Sequence, residues 1–506
     1  MLRSAGRWKI AVIVALFSIV VPKGAIAQAT ASISGVVKDG QGAVLPGVSV
    51  VIKDDSSGQS QEMTTDAEGR YQATALGAGS YTVTAILAGF KTATSKGIRV
   101  APGQPVSIPL TLEIGQLEET VVVTSSSELI NTENGTVAAT LNSDQLTRMP
   151  TATRNALNAV AFLPGVNVTG TNRDSTINGL PENFLSITID GVSNNDNFLR
   201  NTDGFFASVT PRQDAVEAVS VTLSAAGAQV GGGAGAVTMA FQTRSGGNRF
   251  TGSVYEYYRN PEFNTNYVFN EINHQPKNEV KLHTFGGRVG GPITIPGLYD
   301  GRNKAFFFFH YEQIRFPNSF TRTRTVFNPR VYDGWFRYQF GTEVREVNLL
   351  QLAAANGQIS ATDPTMMKLL GQIDAATKTT GTRAAQSDPL YDNYVWQSPS
   401  ELFEHQPTVR LDYNLSDANR LSGSWSTITA KRTPDYLNNT DPRFPGAPNQ
   451  RDFVSTRPLI ATALRSVLSK NIVNEVRGGL TAYASGSNFG YPSSRSHTRS
   501  THHAPR

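Results

Sequence analysis

The chain has 506 residues, 45 Lys and Arg against 40 Asp and Glu, no cysteine, and a formal charge of +5. The excess of positive charge sits at the two ends, in Arg3, Arg7, Lys9 and Lys23 and in Arg495, Arg499 and Arg506, within segments that contain no acid; the body is slightly acidic and lacks the footprint of a nucleic-acid binder. The missing cysteines exclude a disulfide scaffold, thiolate metal sites, cysteine catalysis and a lipid-modified cysteine at the N-terminus.

Taken in chain order, Arg3, Arg7 and Lys9 precede the apolar run 10–21, and Ala25-Ile26-Ala27 follows. A basic start, a short apolar core and small residues at Ala25 and Ala27 predict a secretory signal over 1–27, cleaved after Ala27. The run is too short for a spanning helix, which needs ~20 residues, and no later stretch reaches that length.

From Ser32 to Leu112 the pattern is of short alternating stretches, ISGVV, VSVVIK, YQATAL, SYTVTAIL and VSIPLTL, punctuated by Asp39-Gly40, Pro46-Gly47, Asp66-Ala67-Glu68-Gly69 and Pro102-Gly103. That spacing predicts an all-β sandwich. In SYTVTAIL the two-residue period puts Tyr81, Val83, Ala85 and Leu87 on one face, the expected core. Asp66 and Glu68 read as a solvated turn before Tyr71 rather than as calcium ligands or a catalytic pair. The stretches "ISGVVKDGQGAVLPGVSVVIK" and "TTDAEGRYQATALGAGSYTVTAILAGF" resemble the carboxypeptidase regulatory-like domain, which implies a prealbumin-like, non-catalytic module over 30–113.

A linker, 114–126, holds "QLEETVVVT", in which Glu118 and Glu119 precede Thr120, Val121, Val122, Val123 and Thr124. A β-branched run without a partner of its own is suited to adding to the edge of another protein's sheet. The segment resembles the TonB box, which implies a periplasmic TonB-type energy-coupling protein as partner. Its other reading is an ordinary first strand of the next domain.

Over 127–247 short strands surround one predicted helix, Ser143 to Ala161, with Ser143 or Asp144 as cap. The succession "LPGVNVTG", "TINGLPENFLSITIDGVSNND", Val219 to Leu223, a glycine cluster and Arg244-Ser245-Gly246 resembles the α+β plug domain of TonB-dependent receptors of the Oar-like type. Gly231, Gly232, Gly233 and Gly235 permit backbone geometry suited to passage close to a barrel wall; their spacing fits neither G-x-G-x-x-G nor a Walker loop. Asp190, Asn194, Asn195, Asp196 and Asn197 have the oxygen chemistry for calcium or a sugar, and read more simply as an Asx-rich turn. If the segment is a plug apex, Asn194, Asn195, Asp196, Asn197 and Phe198 are the candidates for ligand contact, Phe198 as a stacking surface.

Beyond Gly247 the texture turns aromatic and alternating. In "VRLDYNL", Val409, Leu411, Tyr413 and Leu415 share one face and Arg410, Asp412 and Asn414 the other, the lipid-out, polar-in pattern of a transmembrane strand. The stretch 472–482 repeats it less cleanly. "AFFFFHY", 305–311, is apolar on both faces, as a strand between lipid and a plug would be. Tyr255, Tyr257, Tyr258, Phe263, Tyr267 and Phe269 are expected near the membrane interface. Phe340 to Gln397 reads as an extracellular loop with local helix around Pro364 to Ala376. "GGRVGGPI" and "KAFFFFHYEQIR" resemble the early barrel of Oar-like receptors, and about six to nine strands are legible over 248–490. Against the ~22 strands that the family resemblance implies, within the range of bacterial barrels, this predicts an incomplete antiparallel transmembrane β-barrel. The tail 491–506 has no strand pattern and is expected to be atypical, the mark of a fragment or of out-of-frame translation.

Seven histidines are scattered without an H-E-x-x-H pattern, and no G-x-S-x-G elbow occurs, so no enzyme, no metal site and no cofactor is expected. The reading is mainly β: an exported outer-membrane receptor that takes up a small nutrient ligand, with outer-membrane lipid as its surroundings and no nucleic acid partner. The competing reading is a secreted adhesion or carbohydrate-binding β protein.

Overall fold

The computed structural model describes residues 31–489 except 103–104, 116–119, 125–137, 150, 152, 164, 168–175, 178, 180–184, 197–206, 223–236, 273–276, 278–279 and 470–471. The signal expected at Ala25 and Ala27, the glycines 231–235 and the tail 491–506 lie outside the described residues.

The first nine strands are β1 (Ala31–Asp39), β2 (Ser49–Asp54), β3 (Ser60–Thr64), β4 (Arg70–Leu76), β5 (Gly79–Ile86), β6 (Thr92–Val100), β7 (Pro105–Ser107), β8 (Leu110–Leu112) and β9 (Thr120–Thr124). They make two sheets, β4-β1 with β7 and β8, and β3-β2-β5-β6-β9. Alternation does the sorting: Ile33 and Val37 of β1 and Val50 and Ile52 of β2 turn inward against Tyr81, Val83 and Ala85 of β5, with Leu87 packed at the margin. Asp66 accepts from the backbone N–H groups of Glu68 (3.0 Å) and Arg70 (2.7 Å), an Asx turn, and Gly69 takes φ +70°.

The second unit is built on β10 (Ala138–Asn142), β11 (Val166–Asn167), β12 (Thr176–Ile177), β13 (Leu185–Ile189), β14 (Val192–Ser193), β15 (Val216–Thr222) and β16 (Val237–Thr243), with a main sheet in the order β10-β15-β16-β13-β14. The single helix expected over Ser143 to Ala161 is instead α1 (Ser143–Arg148) and a separate 3-10 turn, Ala156–Phe162. Two local causes divide it: Met149 precedes Pro150 and leaves helical geometry, and Asn155 opens a new turn by accepting from Leu157 N–H at 3.0 Å. The cap of α1 is Asn142, not Ser143 or Asp144; Asn142 and Gln145 form a reciprocal capping box.

The third unit begins with β17 (Thr251–Arg259), α2 (Val268–Ile272), β18 (Leu282–Pro292), β19 (Thr294–Ile295), β20 (Tyr299–Asp300) and β21 (Ala305–Phe327). Then come β22 (Trp335–Phe340), β23 (Glu343–Asn348), α3 (Leu349–Ala355), α4 (Pro364–Thr377), β24 (Thr382–Ala385), β25 (Tyr391–Ser416), β26 (Asn419–Thr433), β27 (Arg451–Ser469), β28 (Ile472–Thr481) and β29 (Ala484–Phe489). Seven strands run antiparallel in the order β17-β18-β21-β25-β26-β27-β28, and β29 continues along β27 beyond β28. Among the described residues the sheet stays open, with β17 and β28 at its edges.

Burial along β25 alternates as the sequence pattern requires: Arg410, Asp412 and Asn414 are buried, while Leu411, Tyr413 and Leu415 are exposed. On β21, Phe306, Phe308, His310 and Glu312 face inward, with Phe309 outward. Transmembrane strands need 9–11 residues, so β21 with 23 and β25 with 26 project well beyond the bilayer. Strand β25 starts at Tyr391, inside the expected loop, because Tyr394 and Trp396 stack (5.2 Å) in a small outer core with Val326 and Phe444. The helix expected around Pro364 to Ala376 is α4, opened by Asp363 accepting from Met366 N–H at 2.9 Å. Long loops mark the outer side and short turns the periplasmic side. The sandwich touches the short-turn side, with Gln59 Nε2 donating to the Asp417 carbonyl (3.5 Å) and Asn248 Nδ2 to the Ser57 carbonyl (3.0 Å).

Candidate functional site

The core of the second unit is not its own alone, since Leu459 and Ala461 of β27 complete a cluster with Ile187, Val219, Met239 and Phe241. The unit sits against the polar inner face of the barrel sheet, and two buried ionic networks join them.

The first network starts from two irregular segments. Ala156 N–H donates to the Pro211 carbonyl (2.8 Å) and Gln213 N–H to the Arg154 carbonyl (3.1 Å), which joins the two segments and lets Arg154 and Arg212 reach the same carboxylate, Glu312. Arg154 pairs with Asp214 of its own unit and reaches Glu312 of β21 at 3.5 Å. Arg212 Nε lies 3.1 Å from Glu312 and donates to Gln406 Oε1 (2.7 Å), while Arg212 Nη2 donates to Glu404 Oε2 (3.2 Å). Tyr255 donates its hydroxyl to Glu312 (2.7 Å) and lies 3.0 Å from His310 Nε2. Glu312 has no exposed surface, and Arg154 and Arg212 are 8% and 5% exposed, so charges that would be costly alone are held by mutual compensation. Burial, the largest single influence, would lower the Arg154 pKa; Asp214, Tyr255, Tyr257 and Glu312 together outweigh it and hold the value above the ordinary one.

Arg154 also lies over the rings of Tyr255 (4.6 Å) and Tyr257 (4.2 Å). These two rings therefore face the plug side rather than the membrane interface expected for them. Gly286 makes that possible: a Cβ there would come within 2.8 Å of the Tyr255 hydroxyl and 2.4 Å of the Tyr311 carbonyl.

The second network is centred on the Asp190-Gly191 turn, where both residues take left-handed φ (+47° and +86°), as a tight hairpin between β13 and β14 requires. Asp190 accepts from Thr243 N–H (2.9 Å), Thr243 Oγ1 (2.6 Å) and Ser424 Oγ (2.6 Å), and pairs with Arg410 (3.3 Å). Arg410 grips Asp412 at 2.9 and 3.1 Å. Asp412 also accepts from Ser245 (2.8 Å) and pairs with Arg420 (3.1 Å), which lies 3.8 Å from Asp54 of the sandwich. One chain of alternating charge thus links sandwich, barrel and plug-like unit.

Of the sequence candidates, Asn194 and Asn195 are buried and their amides serve the sheet. Asn194 donates to the Val209 carbonyl (2.7 Å) and accepts from Val209 N–H (2.9 Å); Asn195 accepts from Ile187 N–H (2.8 Å) and donates to the Leu185 carbonyl (3.2 Å). The structure thus gives these two an internal bracing role. Asp196 is half-buried, and Asn197 and Phe198 lie outside the described residues, as do Glu118 and Glu119. Thr120, Val121, Val122, Val123 and Thr124 form β9, paired in parallel with β6. The chain passes close along the wall at Gly246, where a Cβ would meet the Phe307 carbonyl at 2.2 Å; Gly231, Gly232, Gly233 and Gly235, for which the same was expected, lie outside the described residues. Arg410 and Asp412 carried a signal as the polar face of their strand. Arg154, Arg212, Glu312 and Glu404 were missed; only the inward phase of Glu312 with Phe306 and Phe308 pointed to one of them.

A twisted sheet with a lipid-facing outer surface, an inner face that grips a small α+β domain, and a sandwich at the short-turn rim defines an outer-membrane barrel protein with an internal plug. Residues 242–502 match the outer membrane beta barrel domain, 32–113 the carboxypeptidase regulatory-like domain and 131–238 the TonB-dependent receptor plug domain. The barrel match runs on into the residues set apart above as a tail. The chain belongs to the TonB-dependent receptors, a family of outer-membrane receptors and not of enzymes, in the form with a carboxypeptidase regulatory-like domain ahead of the plug.

Among solved structures, a mutant ferric enterobactin receptor from Pseudomonas aeruginosa in complex with enterobactin is 13% identical, with 70% of this chain and 41% of that chain covered and a TM-score of 0.37. The siderophore receptor PirA from the same organism is 12% identical, with coverages of 70% and 48% and a TM-score of 0.32. A streptococcal ancillary pilin is 17% identical over 17% of this chain and 33% of that one, with a TM-score of 0.15. The chain spans less than half the length of the two receptors. No curated protein matches it.

Proposed function

We propose that this chain is the plug-bearing part of a receptor that takes up a small nutrient ligand by energised transport. In this reading the ligand arrives on the long-loop side, and a periplasmic TonB-type coupling protein engages Glu118 to Thr124. Tension on that segment loosens the plug from the barrel wall and opens a path. The observation that carries the reading is the bond between plug and wall: it is ionic and hydrogen-bonded at Arg154, Arg212 and Asp190, and such contacts can re-form in water when the domain shifts, as a purely apolar seam could not. Of the five ligand-contact candidates, Asn194 and Asn195 brace the sheet through backbone partners; Asp196, Asn197 and Phe198 are kept on the plug-apex resemblance alone.

The test is capture of the purified periplasmic domain of the coupling protein by the detergent-solubilised chain. Removal of Glu118 to Thr124 is expected to abolish capture; retained capture would refute the assignment. Growth of a strain lacking the gene on defined carbon, iron and vitamin sources identifies the nutrient class.

A further inference from the structure

The TonB-box resemblance gives Glu118 to Thr124 to a partner protein, yet in the structure all but its first two residues already have a partner. Thr120, Val121, Val122, Val123 and Thr124 lie in parallel register with Thr92, Ala93, Thr94, Ser95 and Lys96 of β6. The approach to this strand is pinned as well. Phe90 and Ile114 form an isolated bridge, Lys91 N–H donates to the Glu113 carbonyl (2.8 Å), and Lys91 Nζ lies 3.7 Å from Glu113. The chain is therefore clipped antiparallel to 89–91 and then turned back to run beside β6, as the outermost strand of a five-stranded sheet.

We infer that the sandwich is an autoinhibitory holder for the coupling segment: β6 occupies one backbone edge of β9 at rest, and the coupling protein must displace β6 to take the segment. This rests on the coupling reading given above. One feature favours displacement over recognition in place. The sandwich is fastened to the barrel rim, by Asp54 to Arg420 (3.8 Å), Arg465 Nη2 to Gln61 (2.9 Å) and Asn248 N–H to the Ser56 carbonyl (2.9 Å). While β9 stays paired, a pull on it loads these rim contacts; once β9 leaves β6, the same pull passes along the chain to β10 and the plug sheet.

The chain has no cysteine, so a designed pair forms a single disulfide. Thr94 and Val122 are directly opposed, and neighbouring strands lie within the separation a disulfide spans. In the Thr94→Cys/Val122→Cys chain, mild oxidation is expected to close the bridge, and the periplasmic domain of the coupling protein should then bind at least ~10-fold more weakly than after reduction with dithiothreitol. The single Thr94→Cys chain, oxidised in the same way, should bind like the parent. Equal binding by the bridged and reduced forms would show recognition in place and overturn the inference. So would failure of the pair to bridge in a chain that still resists proteolysis. If deletion of Glu118 to Thr124 leaves binding unchanged, the coupling reading falls by that separate variant, and the holder with it.

Discussion

Glu312→Ala removes the carboxylate on which the first plug anchor converges. Glu312 is fully buried, faces Arg154 at 3.5 Å and Arg212 at 3.1 Å, and accepts the Tyr255 hydroxyl at 2.7 Å. Its loss leaves two buried guanidiniums with one carboxylate each, Asp214 for Arg154 and Glu404 for Arg212, and breaking a buried ion pair from one side costs about 3–5 kcal/mol. At ~1.4 kcal/mol per factor of ten, the plug should open about two to three and a half orders of magnitude more often. Native-state hydrogen exchange of the amides of Leu185–Ile189 in detergent micelles reads that opening directly. Glu312→Gln, which keeps an acceptor for Tyr255 and loses the charge, should fall between. Glu343→Ala removes an exposed pair with Arg345 at 3.6 Å and should change nothing measurable. Exchange in Glu312→Ala within about threefold of the parent would refute the idea that this network holds the plug.

Asp190→Ala should lower the melting temperature more than Asp190→Asn, because alanine loses the acceptors for Thr243 and Ser424 and resists φ +47°, a strain of about 1–2 kcal/mol. Equal shifts would mean that the turn geometry is unimportant. Gly246→Ala forces a Cβ to 2.2 Å from the Phe307 carbonyl and should destabilise by about 1–3 kcal/mol, seen as a lower temperature of heat modification on gels; an unchanged temperature would argue against close passage there. Burial raises the pKa of Tyr71 and Tyr81 above the ordinary tyrosine value. The folded state keeps both protons when the unfolded chain has lost them, so stability is fully present below pH ~10 and declines above it. Denaturant titration across pH 8–11 should show that decline, and Tyr71→Phe with Tyr81→Phe should flatten it; an identical slope in the double variant would exclude these two groups as its source.

The strand pattern was legible wherever a side chain meets one medium on each face. Tyr81, Val83 and Ala85 turn into the sandwich core, and Leu411, Tyr413 and Leu415 turn outward from Arg410 and Asp412, because a two-residue period is a local property. What depends on distant chain was not legible. The anchor joins Arg154 and Arg212, in irregular segments without periodicity, to carboxylates on β21 and β25. Tyr255 carries the composition of an interface aromatic and yet turns inward, since its place is decided by Gly286 opposite and Arg154 above. Asn194 and Asn195 have the chemistry of an exposed ligand loop, but in the fold their amides substitute for missing ladder bonds at Val209, Ile187 and Leu185. The helix over Ser143 to Ala161 failed at Met149, where the proline that follows overrides an otherwise good apolar spacing.

Ser424 offers the most direct measurement of whether tension on Glu118 to Thr124 loosens the plug. It is buried beneath the plug and donates to Asp190 at 2.6 Å, so a thiol at this position becomes accessible only when the second anchor opens. In cells carrying Ser424→Cys, labelling by a membrane-impermeant maleimide should be rapid while the inner membrane is energised. It should slow sharply with a protonophore, and equally when Glu118 to Thr124 are deleted. Equal labelling rates in all three conditions would contradict energised release of the plug.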